Sequence, residues 1–164
     1  CYLNNIAIAV KFAQERLGYR KALILDIDCH HGNGTQDIFL GDPSILYISL
    51  HQSPLYPGTG KSSEKNCLNY PLHFGTTEGV YMKTLKKAIK KGKEFSPELV
   101  GVSAGFDTHK NDPITGFGLE TKSYGAIAQL IKSLGKPTFS VLEGGYSPDL
   151  PVCIHEFLRG LSKA

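Results

Sequence analysis

Lys21-Ala-Leu-Ile-Leu-Asp26-Ile-Asp28-Cys-His30-His31-Gly-Asn-Gly34 is the stretch on which the fold is read. Lys21 to Leu25 is a short apolar run of the kind that forms a strand buried on both faces. Two carboxylates and a histidine follow at spacings of two. Alternate residues of a strand share a face, so Asp26, Asp28 and His30 are expected to converge. Buried carboxylates are costly unless paired or metal-bound, and a cation would satisfy all three groups. Read alone, the same spacing also suits a strand-end aspartate capping a helix beside a hydrogen-bonded histidine.

Helix and strand patterns alternate on either side of this stretch. Ile6, Ala9, Val10, Ala13 and Leu17 fall at helical spacing, giving a helix at about 4–17 that stops at Gly18. The strand at about 22–28 leads through the His-His-Gly-Asn-Gly loop into a short helix at about 34–40. A second strand, Ile45–Leu50, precedes a long loop at 51–75. The next helix, about 77–94, sets Val80, Tyr81, Leu85, Ala88 and Ile89 against Lys83, Lys86, Lys87, Lys90, Lys91 and Lys93. A third strand, Leu99–Ser103, a helix at about 121–134, a fourth strand, Thr138–Leu142, and a last helix using Ile154, Phe157, Leu158 and Leu161 complete the chain. Helices between apolar strands predict an α/β fold, a parallel sheet with helices on both faces.

The 164 residues amount to one domain, 1–164, with 41% hydrophobic and 20% charged residues, ordinary for a globular protein. The net charge of +3 is too small to argue for direct nucleic-acid binding, and the lysines read as a solvated helix face. Cys1, Cys29, Cys67 and Cys153 form neither a Cys-x-x-Cys pair nor a zinc-finger spacing, so a reducing, cytoplasmic setting is expected. No membrane span or signal peptide is read, and Asn33-Gly-Thr35 is a formal glycosylation sequon without a secretion signal.

In an open parallel sheet, ligands bind beyond the carboxyl ends of the strands. Here each strand empties polar groups toward that rim: Asp28 and His30, then Ser49 and His51, then Asp107, then Gly144-Gly145-Tyr146. Two carboxylates and an imidazole suit a divalent metal with a position open to water, which fits metal-assisted hydrolysis. A tyrosine held on a Gly-Gly loop can donate its phenolic hydrogen bond to a developing oxyanion. Taken separately, Glu143-Gly-Gly-Tyr146 and Tyr56-Pro-Gly-Thr-Gly60 are also ordinary turns.

Asp26-Ile-Asp-Cys-His-His-Gly-Asn-Gly-Thr-Gln-Asp37, Ser49-Leu-His51, Tyr56-Pro-Gly-Thr-Gly60, Ser103-Ala-Gly-Phe-Asp107 and Glu143-Gly-Gly-Tyr146 together resemble the zinc-dependent histone deacetylase superfamily. Their forms are closest to its class II and prokaryotic deacetylase-like amidohydrolase branch, and Cys1-Tyr-Leu-Asn-Asn5 extends the match to the first residue. The resemblance implies an arginase/deacetylase-type fold that hydrolyses an N-acetyl amide, of acetyl-lysine or acetylpolyamine type, to acetate and an amine. It makes Asp28, His30 and Asp107 the zinc ligands, and Tyr146 the residue that polarises the acetyl carbonyl and stabilises the oxyanion. Asp26, Ser49 and Leu50, with the carbonyls of Asp28 and His30, match a structural potassium site. A second potassium site falls near Phe39, Asp42 and Ile45. Tyr56, Pro57, Ile114 and Gly144 would line the substrate channel, and His51 would be structural. Besides the acetylated amine, no nucleic acid or membrane partner is implied, and a homo-oligomer stays open.

The family's tandem histidine dyad, its general acid and base, precedes the Cys-Tyr-Leu-Asn-Asn stretch, so the chain is expected to lack the N-terminal part of the catalytic domain. His30-His31 is not that dyad, because His30 is needed on the metal. The missing part would leave a sheet edge and apolar surface uncovered. Three readings follow: a deacetylase completed by further sequence or another chain, an inactive metal-binding fragment or interaction module, and a dinuclear manganese hydrolase of the arginase type. The Asp-Cys-His-His spacing suits the mononuclear form better than the last.

Overall fold

Each apolar run becomes a strand and each amphipathic run a helix in the computed structural model, which describes residues 3–162. Cys1 and Tyr2 lie outside the described residues. The element order is α1 (Asn5–Leu17), β1 (Ala22–Asp26), α2 (Asn33–Phe39), β2 (Ile45–Gln52), β3 (Cys67–Leu72), α3 (Glu78–Phe95), β4 (Leu99–Ala104), α4 (Thr121–Lys132), β5 (Thr138–Leu142) and α5 (Leu150–Ser162). All strand pairings are parallel, in the order β3-β2-β1-β4-β5. The expected α/β class with a parallel sheet is therefore the observed one.

Local chemistry sets the helix ends. Asn4 caps α1 by accepting a 3.0 Å hydrogen bond from the Ala7 N–H, and Gly18, at φ 78°, turns the chain out through a left-handed conformation. Glu120 and Ser123 form a reciprocal capping box at the start of α4. Leu23, Leu25, Leu46, Ile48, Val100 and Val102 project from one sheet face onto α3, α4 and α5. Ala22, Ile24, Ile45 and Tyr47 project from the other onto α1 and Phe39 of α2. Burying each of the larger aliphatic side chains contributes about 1.5–3 kcal/mol.

Several sequence expectations change. The segment at 51–75 is not all loop, because Cys67–Leu72 pairs with β2 in the register Tyr47↔Cys67. Pro71 obscures this strand in the sequence, yet an edge strand tolerates a residue with no N–H to donate. β2 runs on to Gln52, so Ser49 and His51 sit within a buried strand rather than beyond its end. Val80 is exposed, since seven residues bring a helix almost back to the same angle and place it above Lys87. Leu17 and Leu158 are likewise exposed at the margins of their helices' apolar faces.

The connections decide where a ligand can sit. From β1 the chain proceeds to β2 and β3 on one side; from β4 it proceeds to β5 on the other. The crevice between the carboxyl ends of β1 and β4 is thus the switch point of the sheet, the favoured ligand position in this architecture.

Candidate metal centre

Asp28 and His30 follow β1, and Asp107 follows β4, so all three flank that crevice. One ligand atom from each lies within 4.8 Å of the others, the only such group of His, Cys, Asp and Glu among the described residues. The His30 Nδ1 stands 2.8 Å from Asp107 Oδ2 and 3.1 Å from Asp28 Oδ1. Further bonds hold the carboxylates in place. Asp107 Oδ1 accepts from the Cys29 N–H at 2.7 Å, and Asp28 Oδ1 accepts from the His30 N–H at 2.8 Å. Asp28 Oδ2 accepts from the Gly144 N–H at 2.9 Å, tying the triad to the Gly-Gly-Tyr loop. Thr115 donates to the Asp107 carbonyl.

The electrostatics of the group suit a cation. Asp107 is 0% exposed, and burial pushes its carboxyl upward. Without a metal, hydrogen bonding to Asp107 and then Asp28 raises the His30 imidazole to about 10, so a proton holds the two carboxylates together. A divalent ion held by the same residues would supply that positive charge in place of the proton. Two carboxylates and one imidazole are a donor set that zinc accepts with a position left open, so the residues present fit such an ion.

Asp26 departs from the expected convergence. β1 ends at Asp26, so the alternation of a strand does not carry through the turn at 28–30. Its carboxylate instead accepts from the Tyr47 hydroxyl at 2.8 Å and from the Asp28 N–H at 3.1 Å. Burial, with the Asp28 charge adding, pushes it well above the usual carboxylate range. Asp26 is level with Ser49 on the neighbouring strand, and Leu50 follows in the buried interior. Phe39 and Ile45, from the second potassium assignment, are core residues, while Asp42 closes a turn against Ser44 and Lys11.

His31 and His51 form a buried pair with ring centroids 4.7 Å apart. Both His31 nitrogens are engaged, by Thr59 at 2.7 Å and Gln36 at 3.0 Å. His51 spans the Ser49 hydroxyl and the Gly60 carbonyl, a structural role. Burial lowers both imidazoles, His51 to about 4. The pair pins the Thr59-Gly60 turn beside the loop at 28–31. The two histidines are 20 positions apart, and no local pattern announces the contact. Cys29 lies in the core beneath, with its N–H on Asp107.

A cavity of about 540 Å³ reaches Asp28 and His30 and is lined further by Asn4, Asp26, Asn33, Glu143, Gly144 and Tyr146. The structure thus brings Gly144 against the Asp28 carboxylate and sets Tyr146 in the wall of the same cavity. Tyr56 and Ile114 are exposed and Pro57 half-buried, outside this lining. Sequence reading missed Ser103, whose hydroxyl donates to Glu143 at 2.8 Å, and Asp112, whose carboxylate accepts from the Tyr146 N–H at 2.9 Å. The Asp112-Pro113 step was the available signal for the second.

Residues 1–161 match the family model described as the histone deacetylase domain. The chain belongs to the histone deacetylase family. Among curated deacetylase relatives, it is 42% identical to a probable deacetylase of Archaeoglobus fulgidus, over 90% of this chain and 44% of that protein. It is 38% identical to acetylpolyamine amidohydrolase 1 of Pseudomonas aeruginosa, over 90% of this chain and 45% of that one. The crystal structure of an acetylpolyamine aminohydrolase from Burkholderia pseudomallei superposes with a TM-score of 0.92 at 32% identity, covering 98% of this chain and 49% of that one. The chain spans about half the length of these deacetylase relatives. Among the described residues, no helix is long and apolar enough to cross a membrane.

Proposed function

We propose that this chain supplies the zinc-binding and oxyanion-stabilising part of a deacetylase that hydrolyses an N-acetyl amide, of acetyl-lysine or acetylpolyamine type, to acetate and a free amine. The observation that carries the reading is the convergence of Asp28, His30 and Asp107 within 4.8 Å at the switch point of a deacetylase-type sheet.

Asp28, His30 and Asp107 would hold the zinc. When bound, it lowers the pKa of water and polarises the acyl oxygen. The Cys29 and Gly144 N–H groups fix the ligand carboxylates in orientation, the usual task of groups behind a metal ligand. Tyr146 donates its phenolic hydrogen bond to the oxygen where charge develops. Burial and the charges of Asp107, Asp28 and Asp112 raise its pKa, keeping the phenol protonated as a donor. Asp26, Ser49 and Leu50, with the carbonyls of Asp28 and His30, would hold a structural potassium ion. Tyr56, Pro57, Ile114 and Gly144 would guide the acyl arm. His31, engaged at both nitrogens, is not free to shuttle protons.

Slow turnover is expected of residues 1–164 by themselves. General acid–base catalysis contributes about 10²–10⁴ in rate, and the family's dyad is not within residues 1–164. The exposed Ile8, Phe12 and Leu17 of α1, lining cavities along the β5 side of the sheet, form the kind of apolar surface that marks an interface. Purified chain is expected to bind one zinc and to hydrolyse acetyl-lysine and acetylpolyamine substrates about 10²–10⁴ more slowly than a full-length relative. Absence of zinc binding would sink the reading, and two equivalents of manganese would favour a dinuclear hydrolase.

The site's protonation gives a second test. His30, raised from 6.5 to about 10 in the folded chain, stabilises the metal-free fold fully below about pH 6.5. That contribution fades as pH rises through 10. Zinc competes with the same proton, so its apparent affinity is expected to rise about tenfold per pH unit between roughly pH 7 and 8. The thermal shift caused by zinc should widen over that interval. A flat profile would show that no proton leaves His30.

A further inference from the structure

The Gly144-Gly145-Tyr146 loop is held mainly through its backbone. The Phe106 N–H donates to the Gly144 carbonyl at 2.7 Å, and Gly145 takes φ 135°, open to glycine alone. Beyond these, the Tyr146 N–H donates to Asp112 Oδ2 at 2.9 Å. Tyr146 is 59% exposed, so packing does little to aim its side chain.

Asp112 is an unusual anchor. Its side chain is buried, with the residue 7% exposed, and its two oxygens serve different loops. Oδ1 accepts from the Ile114 N–H at 3.0 Å, closing the turn at Asp112-Pro113. A turn-opening aspartate needs only that bond. The second bond crosses 34 positions of sequence to the tyrosine loop. Close by, the Ser147 hydroxyl meets His109 Nδ1 at 3.3 Å, and the Asp112 N–H donates to the His109 carbonyl at 3.0 Å. The segment after Asp107 and the segment after β5 are therefore laced together, with Asp112 at the seam.

We infer that Asp112 is a positioning residue, whose buried carboxylate clamps the Tyr146 backbone to the Ile114 turn and so aims the phenol at the metal site. This rests on the deacetylase reading above. A carboxylate suits the task because both oxygens accept, and charge-assisted bonds are stronger than neutral ones. An asparagine offers one acceptor, so either the Ile114 or the Tyr146 N–H is left unserved. The same clamp couples the catalytic tyrosine to Ile114, proposed above as a channel residue.

Amide hydrogen exchange on the unmodified chain comes first. The Ile114 and Tyr146 N–H groups should be protected although their residues are 52% and 59% exposed. Fast exchange at Tyr146 would overturn the clamp. Next, the zinc-loaded chain is titrated with acetohydroxamate, a small chelator whose acyl oxygen is placed to accept from the phenol. Tyr146→Phe and Asp112→Asn should each weaken binding by about tenfold, the loss of one hydrogen bond. The double variant should be no weaker than either single one, with zinc affinity equal in all four proteins. An unchanged affinity for Asp112→Asn, or a double variant weaker by the product of the two, would overturn the inference. If Asp112→Asn does not fold, the exchange result on the unmodified chain decides. Failure of the unmodified chain to bind zinc would instead overturn the deacetylase reading, with the exchange measurement still deciding the clamp.

Discussion

Asp107→Asn is expected to weaken zinc binding by about a hundredfold or more. Apparent zinc-binding free energies of roughly 10–16 kcal/mol, shared over about four ligands, make a single ligand worth about 3 kcal/mol. The substitution is nearly isosteric, so the core should stay filled. What disappears is one of the two negative charges facing His30 and half of the acceptor capacity serving the Cys29 N–H and His30 Nδ1. Competition calorimetry reads the affinity, and a melting curve in chelator reports whether the metal-free fold survives. Wild-type zinc affinity in this variant would remove Asp107 from the ligand set.

Gly144→Ala should be nearly as damaging without touching any ligand. A β-carbon at Gly144 would stand 2.7 Å from Asp28 Oδ2 and 2.8 Å from Asp107 Oδ2. Both oxygens belong to the two carboxylates of the Asp28, His30 and Asp107 group, so the methyl would press directly on it. Relief requires one carboxylate to rotate away or the loop to withdraw, which breaks the bond from the Gly144 N–H to Asp28. Overpacking of this kind costs about 1–3 kcal/mol. The expected result is a zinc affinity lower by about tenfold to a hundredfold, with the melting temperature lowered by several degrees. Gly79→Ala is the control. It lies in α3 with nothing within 4 Å of its would-be β-carbon, and should stabilise the chain slightly while leaving zinc binding unchanged. Equal zinc affinity in Gly144→Ala and wild type would mean that the loop does not press on the ligands.

The periodicity of the sequence carries the architecture well, because apolar runs and amphipathic runs alternate and each side chain's burial follows from its neighbours. β3 escapes because Asn69 and Pro71 interrupt the pattern that marks a strand, and an edge position makes both tolerable. Asp28, His30 and Asp107 are readable as a candidate metal group from chemistry at strand ends, but which carboxylates meet is not. Asp26 looks equivalent to Asp28 by alternation, and only the end of β1 at Asp26 turns it toward Tyr47 instead. The supporting groups are least legible. The Gly144 N–H, the Asp112 carboxylate and the His31–His51 pair act across long sequence separations, set by the topology of the sheet rather than by local spacing.

The central claim is that Asp28, His30 and Asp107 form a single-metal site. Titrating the metal-free chain with zinc at pH 7.5, with stoichiometry read by calorimetry and elemental analysis, tests it most directly. The account predicts one zinc per chain, bound with release of about one proton, and loss of that binding in His30→Ala. No zinc bound, or two metal ions per chain, would contradict it.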